Sequence, residues 1–561
     1  MSLPDPDEHR SVQTPDALSE YEAISLFTRR ARAANNTFAL NESNAEQVIA
    51  ICRRLDGLPL AIELAANRAR VLSAGQILER LSGSLDLLAG GASNLPARQQ
   101  SLRGAIGWGY DVLTPAQQAL FRLMAVYVGG CTLEALQGRA PETTGNEMQL
   151  VDNLSALIDS SLVRRQETAN GARFSMLDTI AEYAMEQLAK ADEVDQARRH
   201  HAAFYLHLAE EAEPHLQGGD QKAWLERLDT EHDNIRDAYD YFRSAGDGVL
   251  LARLVSSLRR FWYLRGNISE GEEWLQAALT HAEILPPDVL ARTLHGIGTL
   301  LWSMGEMARA EGYFAKSLVL RRELGDKRGI ADMLNNLGIV LLPQGKYNEA
   351  RTQHTESLEI YRELGDGWSI SLSLANLGLV ALDAGEYAEA EALLSGSLTI
   401  RRDVGDEQGA AQSLNNLGIV RRCTGDIDGA RALHEESLNI FRKLGDKWSI
   451  AFAMNNMAYA LLESESEEAS HYFLDSLALF KELGVRTGIV SSFEGLAQLG
   501  SSGSKVELAA TLFGLAERLR GEIDLDMLPY NRASYAERRE NSLHELGEDK
   551  FQVAWAAGQQ L

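Results

Sequence analysis

A 40-residue unit recurs through the middle of the chain and constrains the fold more than any other feature. Gly-Asp stands at 325–326, 365–366, 405–406 and 445–446, and a degenerate Gly484-Val485 follows 39 residues later. Self-similarity at a fixed period of this length implies a stacked array whose units each touch only their neighbours. In the copy from Ala331 to Gly365, Leu334, Leu337, Gly338 and Leu341 keep helical spacing. Gly345-Lys346 interrupts it, and Tyr347, Ala350, His354, Ser357 and Leu358 resume it. Each unit is therefore expected to be a pair of amphipathic helices joined by a tight Gly turn. Small residues recur where the two helices must approach: Gly298, Gly338, Gly378, Gly418 and Ala458 on the first, Ala310, Ala350, Ala390, Ala430 and Ala469 on the second.

A Leu-Gly pair followed by Gly-x-Tyr-x-x-Ala, cleanest at Gly385-Glu386-Tyr387-Ala388-Glu389-Ala390, resembles the tetratricopeptide repeat. Two features depart from that family. The period is 40 rather than about 34, and Arg322, Arg362, Arg402 and Arg442 hold the place of the closing Pro. The resemblance implies a right-handed superhelix that binds a protein or peptide on its concave face. Beside the Leu-Gly pair stand Asn336, Asn376, Asn416 and Asn456, and three copies add Asn335, Asn415 and Asn455. Asn is a mediocre helix former, so seven at one place need a reason. One reading is a ladder of amides that pairs with an extended peptide backbone, with Asn335, Asn415 and Asn455 the better ligand contacts. The other is a set of ties between adjacent repeats that holds the superhelical pitch. Trp368 and Trp448, at matching places in the inter-repeat turns, are expected to pack between repeats.

Composition narrows the class. The chain has 561 residues, three or more domains' worth, and 45% of them are hydrophobic. No apolar run reaches spanning length, the first ten residues lack the apolar stretch of a signal peptide, and a cytoplasmic location is expected. Cys52, Cys131 and Cys423 are too scattered for a disulfide or metal framework and read as core residues; no metal and no cofactor is expected. Of the net charge of −26, residues 1–200 carry −6 and the rest −20. That balance disfavours a nucleic-acid surface, above all on the array, and suits a basic or amphipathic partner.

The N-terminal third carries a second resemblance. Arg54-Leu55-Asp56-Gly57-Leu58-Pro59-Leu60-Ala61 places a helix end at Gly57 and a helix start at Pro59, where a missing N–H costs nothing. Leu95-Pro96-Ala97-Arg98-Gln99-Gln100-Ser101-Leu102 then leads to Trp108-Gly109-Tyr110-Asp111 and to a helix opened by Pro115. Leu162–Arg165 and Arg173–Met176 read as two strands joined at Ala169-Asn170-Gly171. This succession resembles the STAND signal-transduction NTPases, including NB-ARC proteins and large bacterial LuxR-type regulators, in the region after their ATP-binding core. The resemblance implies a helical subdomain with Pro59 at the nucleotide and a winged helix that is regulatory rather than DNA-binding. Met176-Leu177-Asp178 falls where the NB-ARC family has Met-His-Asp. In that family the His senses the nucleotide phosphate, a contact Leu177 cannot make, so the resemblance implies that Gly57, Pro59 and Asp178 are vestiges of a nucleotide switch; Asp178 equally suits an N-cap. No G-x-x-x-x-G-K-[ST] phosphate loop occurs in the sequence, so the expected function is non-enzymatic.

His200 and His201 read as core or surface histidines, because adjacent helical residues point about 100° apart. The expected organisation is mainly α: an irregular lead-in over 1–20, an NB-ARC-like helical subdomain over 21–95 and a winged-helix-like domain over 96–190. A helical bridge follows over 191–290, tetratricopeptide repeats over 291–500, and capping helices over 501–561, notably Val506–Leu519 and Ala533–Leu546. The expected function is signalling or regulation through a protein or peptide bound to the array, alone or beside a separate ATPase core. The alternatives are an ATP/ADP-dependent STAND switch and a DNA-binding transcriptional regulator. Membrane and nucleic acid are not expected partners.

Overall fold

The computed structural model describes residues 1–4, 15–55, 57–81, 102–137, 146–168, 171–216, 220–462, 467–523 and 525–561. The motif at Leu95–Ser101, most of the lead-in and the turn residues Ala169 and Asn170 lie outside them. The chain is mainly α, as expected, and divides into two compact units, Met1–Leu285 and Pro286–Leu561. No helix among the described residues is long and apolar enough to cross a membrane.

In the N-terminal unit, helices Glu22–Ala34, Ala45–Arg54, Pro59–Asn67 and Ala74–Leu81 share one apolar core with the segment that follows, from Leu18 to Ala184. Gly57 has φ +66° and Pro59 occupies the first helical turn, as the sequence requires. Three strands make a small antiparallel sheet: β1, Cys131–Thr132; β2, Arg164–Thr168; β3, Gly171–Ser175, in the order β1-β3-β2. The hairpin forms as expected, with two differences. Leu162 and Val163 are buried in the core ahead of β2 rather than paired in it. The two-residue β1 adds to the other edge of β3; two residues are too few to carry an alternating pattern. Helices Pro115–Leu123, Glu147–Asp159 and Asp178–Lys190 lie around this small sheet in the sequence. Helix Val194–His215 then packs on His232–Ala245 and Gly248–Ser257.

The C-terminal unit is a superhelix of helical hairpins, and the Gly-Asp dipeptide is the joint between them. Gly325, Gly365 and Gly445 end the second helix of a hairpin in the left-handed conformation, which costs Gly little and other residues more. The following Asp caps the next helix: the carboxylates of Asp326, Asp366, Asp406 and Asp446 accept backbone N–H bonds from residues 329, 369, 409 and 449 at 2.9–3.1 Å. Val485 stands in the same backbone conformation with no side-chain cap. The small residues of the first helix face large ones of the second. A Cβ on Gly338 would lie 2.3 Å from His354, and one on Gly418 would lie 2.6 Å from His434. A second tie recurs in four hairpins: the buried hydroxyls of Ser317, Ser357, Ser397 and Ser437 donate at 2.8 Å to the carbonyls of residues 291, 331, 371 and 411.

The cap differs from expectation. It has three helices, Val506–Glu522, Pro529–Leu546 and Glu548–Gly558. The last packs on the first so closely that a Cβ on Gly514 would touch the Trp555 carbonyl and one on Gly558 the Thr511 carbonyl. The middle helix begins four residues before the predicted start and folds back against the array.

Candidate functional site

Four first helices of the repeats, Lys327–Leu341, Gly367–Asp383, Glu407–Cys423 and Lys447–Ala460, carry the seven asparagines, and the next, Arg486–Leu499, carries none. The asparagine amides form rungs between neighbouring repeats. Asn376 Nδ2 donates to Asn335 Oδ1 at 2.9 Å, and Asn456 Nδ2 donates to Asn415 Oδ1 at 3.3 Å. Asn336 Nδ2 pairs with His295 Nε2 at 3.1 Å, His295 holding the Asn335 place in the preceding repeat. Asn335 and Asn455, ranked first from sequence as ligand contacts, are only 5% and 2% exposed. Asn455 is held by Ser491 and Ser492, both at 3.3 Å.

One rung is open. Asn416 stands where Asn336, Asn376 and Asn456 stand, but the residue across from it is Ala375, which offers no side-chain acceptor. Asn416 makes no hydrogen bond to another described side chain and lines a cavity of about 480 Å³. Asn415 and Asn456 line the same cavity, with Trp448, Phe452 and Tyr459 as its aromatic wall and Leu525–Asn531 as its far side. Trp448 does not pack between repeats as expected. It is 51% exposed and lies over Phe452, ring centres 4.3 Å apart; Trp368 is 52% exposed.

Two acidic groups on this face are displaced upward by burial. The Glu494 carboxyl, in the Asn455 place of the next repeat, is pushed up to about 7, opposed by Arg520 at 3.2 Å. The Asp383 carboxyl is pushed up to about 6, opposed by Arg532. Beneath the ladder, burial lowers His354 to about 4 and His434 to about 3, the latter with a smaller push from Arg422. His434 Nδ1 lies 3.0 Å from Asn415 Oδ1. The face thus offers amide donors and acceptors and aromatic surface over buried neutral imidazoles, a set suited to binding.

The residues assigned to a vestigial nucleotide switch lie in the N-terminal unit. Gly57 is buried and Pro59 exposed at their helix joint. Asp178 is the first residue of helix Asp178–Lys190, whose N-cap position belongs to Leu177, so it is not the N-cap. Leu177 itself is buried in the core. The unit's clefts near Arg173 and Glu231, and near Asn35 and Gly75, are lined by none of Gly57, Pro59 and Asp178. Cys52 and Cys131 are buried in the core, and burial pushes the Cys52 thiol up to about 12. Among the described residues, no cluster of His, Cys, Asp and Glu could hold a metal ion.

A polar network without any motif in the sequence ties the β-hairpin to the helices after it. Arg173 on β3 and Glu231, 11% and 5% exposed, form an ion pair at 2.5 Å. Tyr205 and Asn234 each donate to Glu231 at 2.9 Å. Asn234 Oδ1 accepts from the Val128 N–H at 2.8 Å and faces His201 Nε2 at 3.2 Å. His201 is thus a bonded core histidine.

Residues 289–363, 329–403, 369–443 and 409–482 match the tetratricopeptide repeat family. A Mycobacterium bovis protein named "Putative HTH-type transcriptional regulator" is 35% identical over 313 residues, which are 54% of this chain and 35% of that protein. An uncharacterized M. bovis protein is 36% identical over 175 residues, 31% of this chain and 44% of its own. The chain therefore spans about a third of the first relative and under half of the second. Among solved structures, a STAND protein with a tetratricopeptide repeat sensor from Pyrococcus horikoshii is 14% identical with a TM-score of 0.46, covering 95% of this chain and 74% of its own. A Rap protein complexed with competence and sporulation factor is 12% identical with a TM-score of 0.47, over 65% of this chain and 98% of its own.

Proposed function

We propose that this chain is a non-enzymatic signalling or regulatory protein, acting in the cytoplasm, that binds a protein or peptide partner on the inner face of its repeat array. The observation that carries the reading is the cavity beside the open rung: Asn416 presents an amide that no neighbouring repeat takes up, against Trp448, Phe452 and Tyr459. A peptide backbone supplies the donor and acceptor that such an amide needs, and aromatic walls accept an apolar side chain. The helical subdomain and the winged-helix-like layer would relay the binding event or dock on an ATPase core. The Arg173–Glu231–Asn234 network supports that role, because it couples the β-hairpin to the helices from 194 onward.

The test places a photo-crosslinking amino acid at Gln412, an exposed residue on the cavity rim, in the full chain inside its native cell. Polypeptide adducts that disappear in Asn416→Ala and Trp448→Ala backgrounds are expected. Adducts indifferent to both changes, or none at all with folding intact, would sink the reading. The switch alternative predicts saturable ATP or ADP binding by this chain; no heat of binding at millimolar nucleotide is the expected result.

A further inference from the structure

The inner face of the array already holds a helix, and it is the chain's own. After the Leu525–Leu528 segment, Pro529–Leu546 runs back along the first helices of the repeats, packing on Gly367–Asp383 and Arg486–Leu499. Its leading turn makes the most specific contacts. Asn531 Oδ1 accepts from the Arg422 guanidinium at 2.8 Å. That guanidinium lies 5.7 Å from the ring centres of both Tyr459 on the array and Tyr530 on the helix. Tyr530 also packs on the apolar cluster of Ala381, Leu382 and Leu394, and Arg532 faces Asp383. Further along, the Ser534 hydroxyl donates to Gln498 Oε1 at 3.1 Å and the Ser542 hydroxyl to the Ser501 carbonyl at 3.2 Å.

The helix is poorly fastened for its length. Of 18 residues only Asn531, Tyr535 and Ser542 are buried, and two of these are polar. Tyr530, Tyr535, Leu543 and Leu546 give it scattered apolar contacts rather than a continuous stripe, so its hold rests on these and a few hydrogen bonds. The neighbouring cap helices Val506–Glu522 and Glu548–Gly558 are locked together by backbone-to-backbone packing and Phe513 and Phe551 in the core. They touch each other more extensively than either touches the helix between them.

We propose that helix 529–546 is a tethered stand-in for the partner: the inner face receives a helical segment that presents an aromatic, an amide and a basic residue as Tyr530, Asn531 and Arg532 do, and a partner carrying that surface displaces the chain's own helix. This rests on the reading of the inner face as the binding surface. Arg422 is the recognition residue, taking the amide through its N–H groups and the aromatic ring through its face. The tether gives the stand-in an effective concentration on the order of millimolar. A partner at micromolar level must therefore bind about a thousandfold better than the stand-in, or the chain answers only when partner accumulates.

The experiment uses a fluorescein-labelled synthetic peptide of residues 526–546 and the full chain. Anisotropy should show at least tenfold tighter binding to a chain carrying Tyr530→Ala, Asn531→Ala and Arg532→Ala than to the wild type. Adding Arg422→Ala should remove that gain. Equal binding to wild type and variant, binding to neither, or binding indifferent to Arg422→Ala overturns the proposal. Hydrogen exchange of the wild-type chain checks it without any variant. Amides of 529–546 should exchange at least tenfold faster than those of 506–522 and 548–558; equal protection overturns it. Crosslinking at Gln412 reads the broader function separately: adducts there with no peptide binding in trans leave a partner site without a stand-in.

Discussion

Two histidines sit under the asparagine ladder in places where other repeats have Phe314, Leu394 and Phe473. Gly338 and Gly418 give the rings their space. Both are buried neutral, at about 4 for His354 and about 3 for His434, against about 6.5 in an unfolded chain. Below about pH 6.5 the unfolded state takes up protons that the folded state refuses, so stability falls as pH drops from there towards 3. A tenfold difference in proton affinity between the two states is worth about 1.4 kcal/mol, so the pair removes several kcal/mol by pH 4. Changing both to Leu, the residue that already faces Gly378, should leave stability near pH 7.5 within roughly 1.5 kcal/mol and flatten its acid limb between pH 6.5 and 4, followed by urea midpoints. Glu494 and Asp383, raised by burial, act in the opposite sense, so the difference between variant and wild type is the quantity to read. The asparagines divide by the same logic. Asn455→Ala leaves Ser491 and Ser492 without their amide and should cost about 1–2 kcal/mol. Asn416→Ala, at the open rung, should leave the urea midpoint within about 0.5 kcal/mol and act on crosslinking alone. The sequence ranked these residues the other way, because a recurring Asn shows that an amide is needed but not whether the next repeat or a ligand takes it. Only the register between repeats, and Ala375 in one of them, separates the two.

At the scale of the element, the repeat was readable because one dipeptide performs two backbone tasks, ending one helix with a left-handed Gly and starting the next with an Asp cap. The joint where this fails identifies its contribution. Val485 has φ −82° and ψ 88°, and Asp446 has −80° and 87°. Val485→Asp should therefore drop into a ready cap geometry, accept from the Gly488 N–H, and raise stability by about 0.5–1 kcal/mol as a higher urea midpoint. Asp446→Ala should lower it by about 1 kcal/mol. Elements without such punctuation were not legible in advance. β1 is two residues long. Glu548–Gly558 follows its neighbour with only Gly547 between them. Pro529–Leu546 could be read as helical, but its placement on the inner face follows from side-chain hydrogen bonds and scattered apolar contacts rather than from apolar periodicity, and no one-dimensional pattern records those.

Over the whole molecule, much of the array's basic charge is arranged in pairs with acids of the next repeat, which leaves the acidic excess in solvent. Arg322 meets Glu356 at 2.7 Å, Arg402 meets Glu436 at 2.7 Å, Arg431 meets Glu468 at 3.0 Å and Lys447 meets Glu482 at 2.6 Å. Arg322 and Arg402 stand where the family's closing Pro would be. All four pairs are solvent-exposed, so each adds at most about 1 kcal/mol, yet together they fix register and leave few cations free on the array. The β-hairpin of the N-terminal unit offers few more. Of the three arginines on the β-hairpin, Arg173 is drawn into the buried pair with Glu231 and Arg165 is paired with Glu167. Sequence-independent DNA binding needs several phosphate contacts, each released by salt, and a net charge of −26 opposes the approach of a polyanion. Anisotropy of a labelled DNA duplex should therefore show no saturation up to about 10 µM chain at about 150 mM salt, a range in which non-specific DNA binders begin to bind, and Arg164→Ala should change nothing. Saturable binding that weakens with salt and is lost in Arg164→Ala would instead make the hairpin a DNA contact. Removing the buried pair is a different matter: Glu231→Ala strands Arg173 beneath the sheet. It should cost about 3–5 kcal/mol, seen as a lowered urea midpoint with the array's joints untouched.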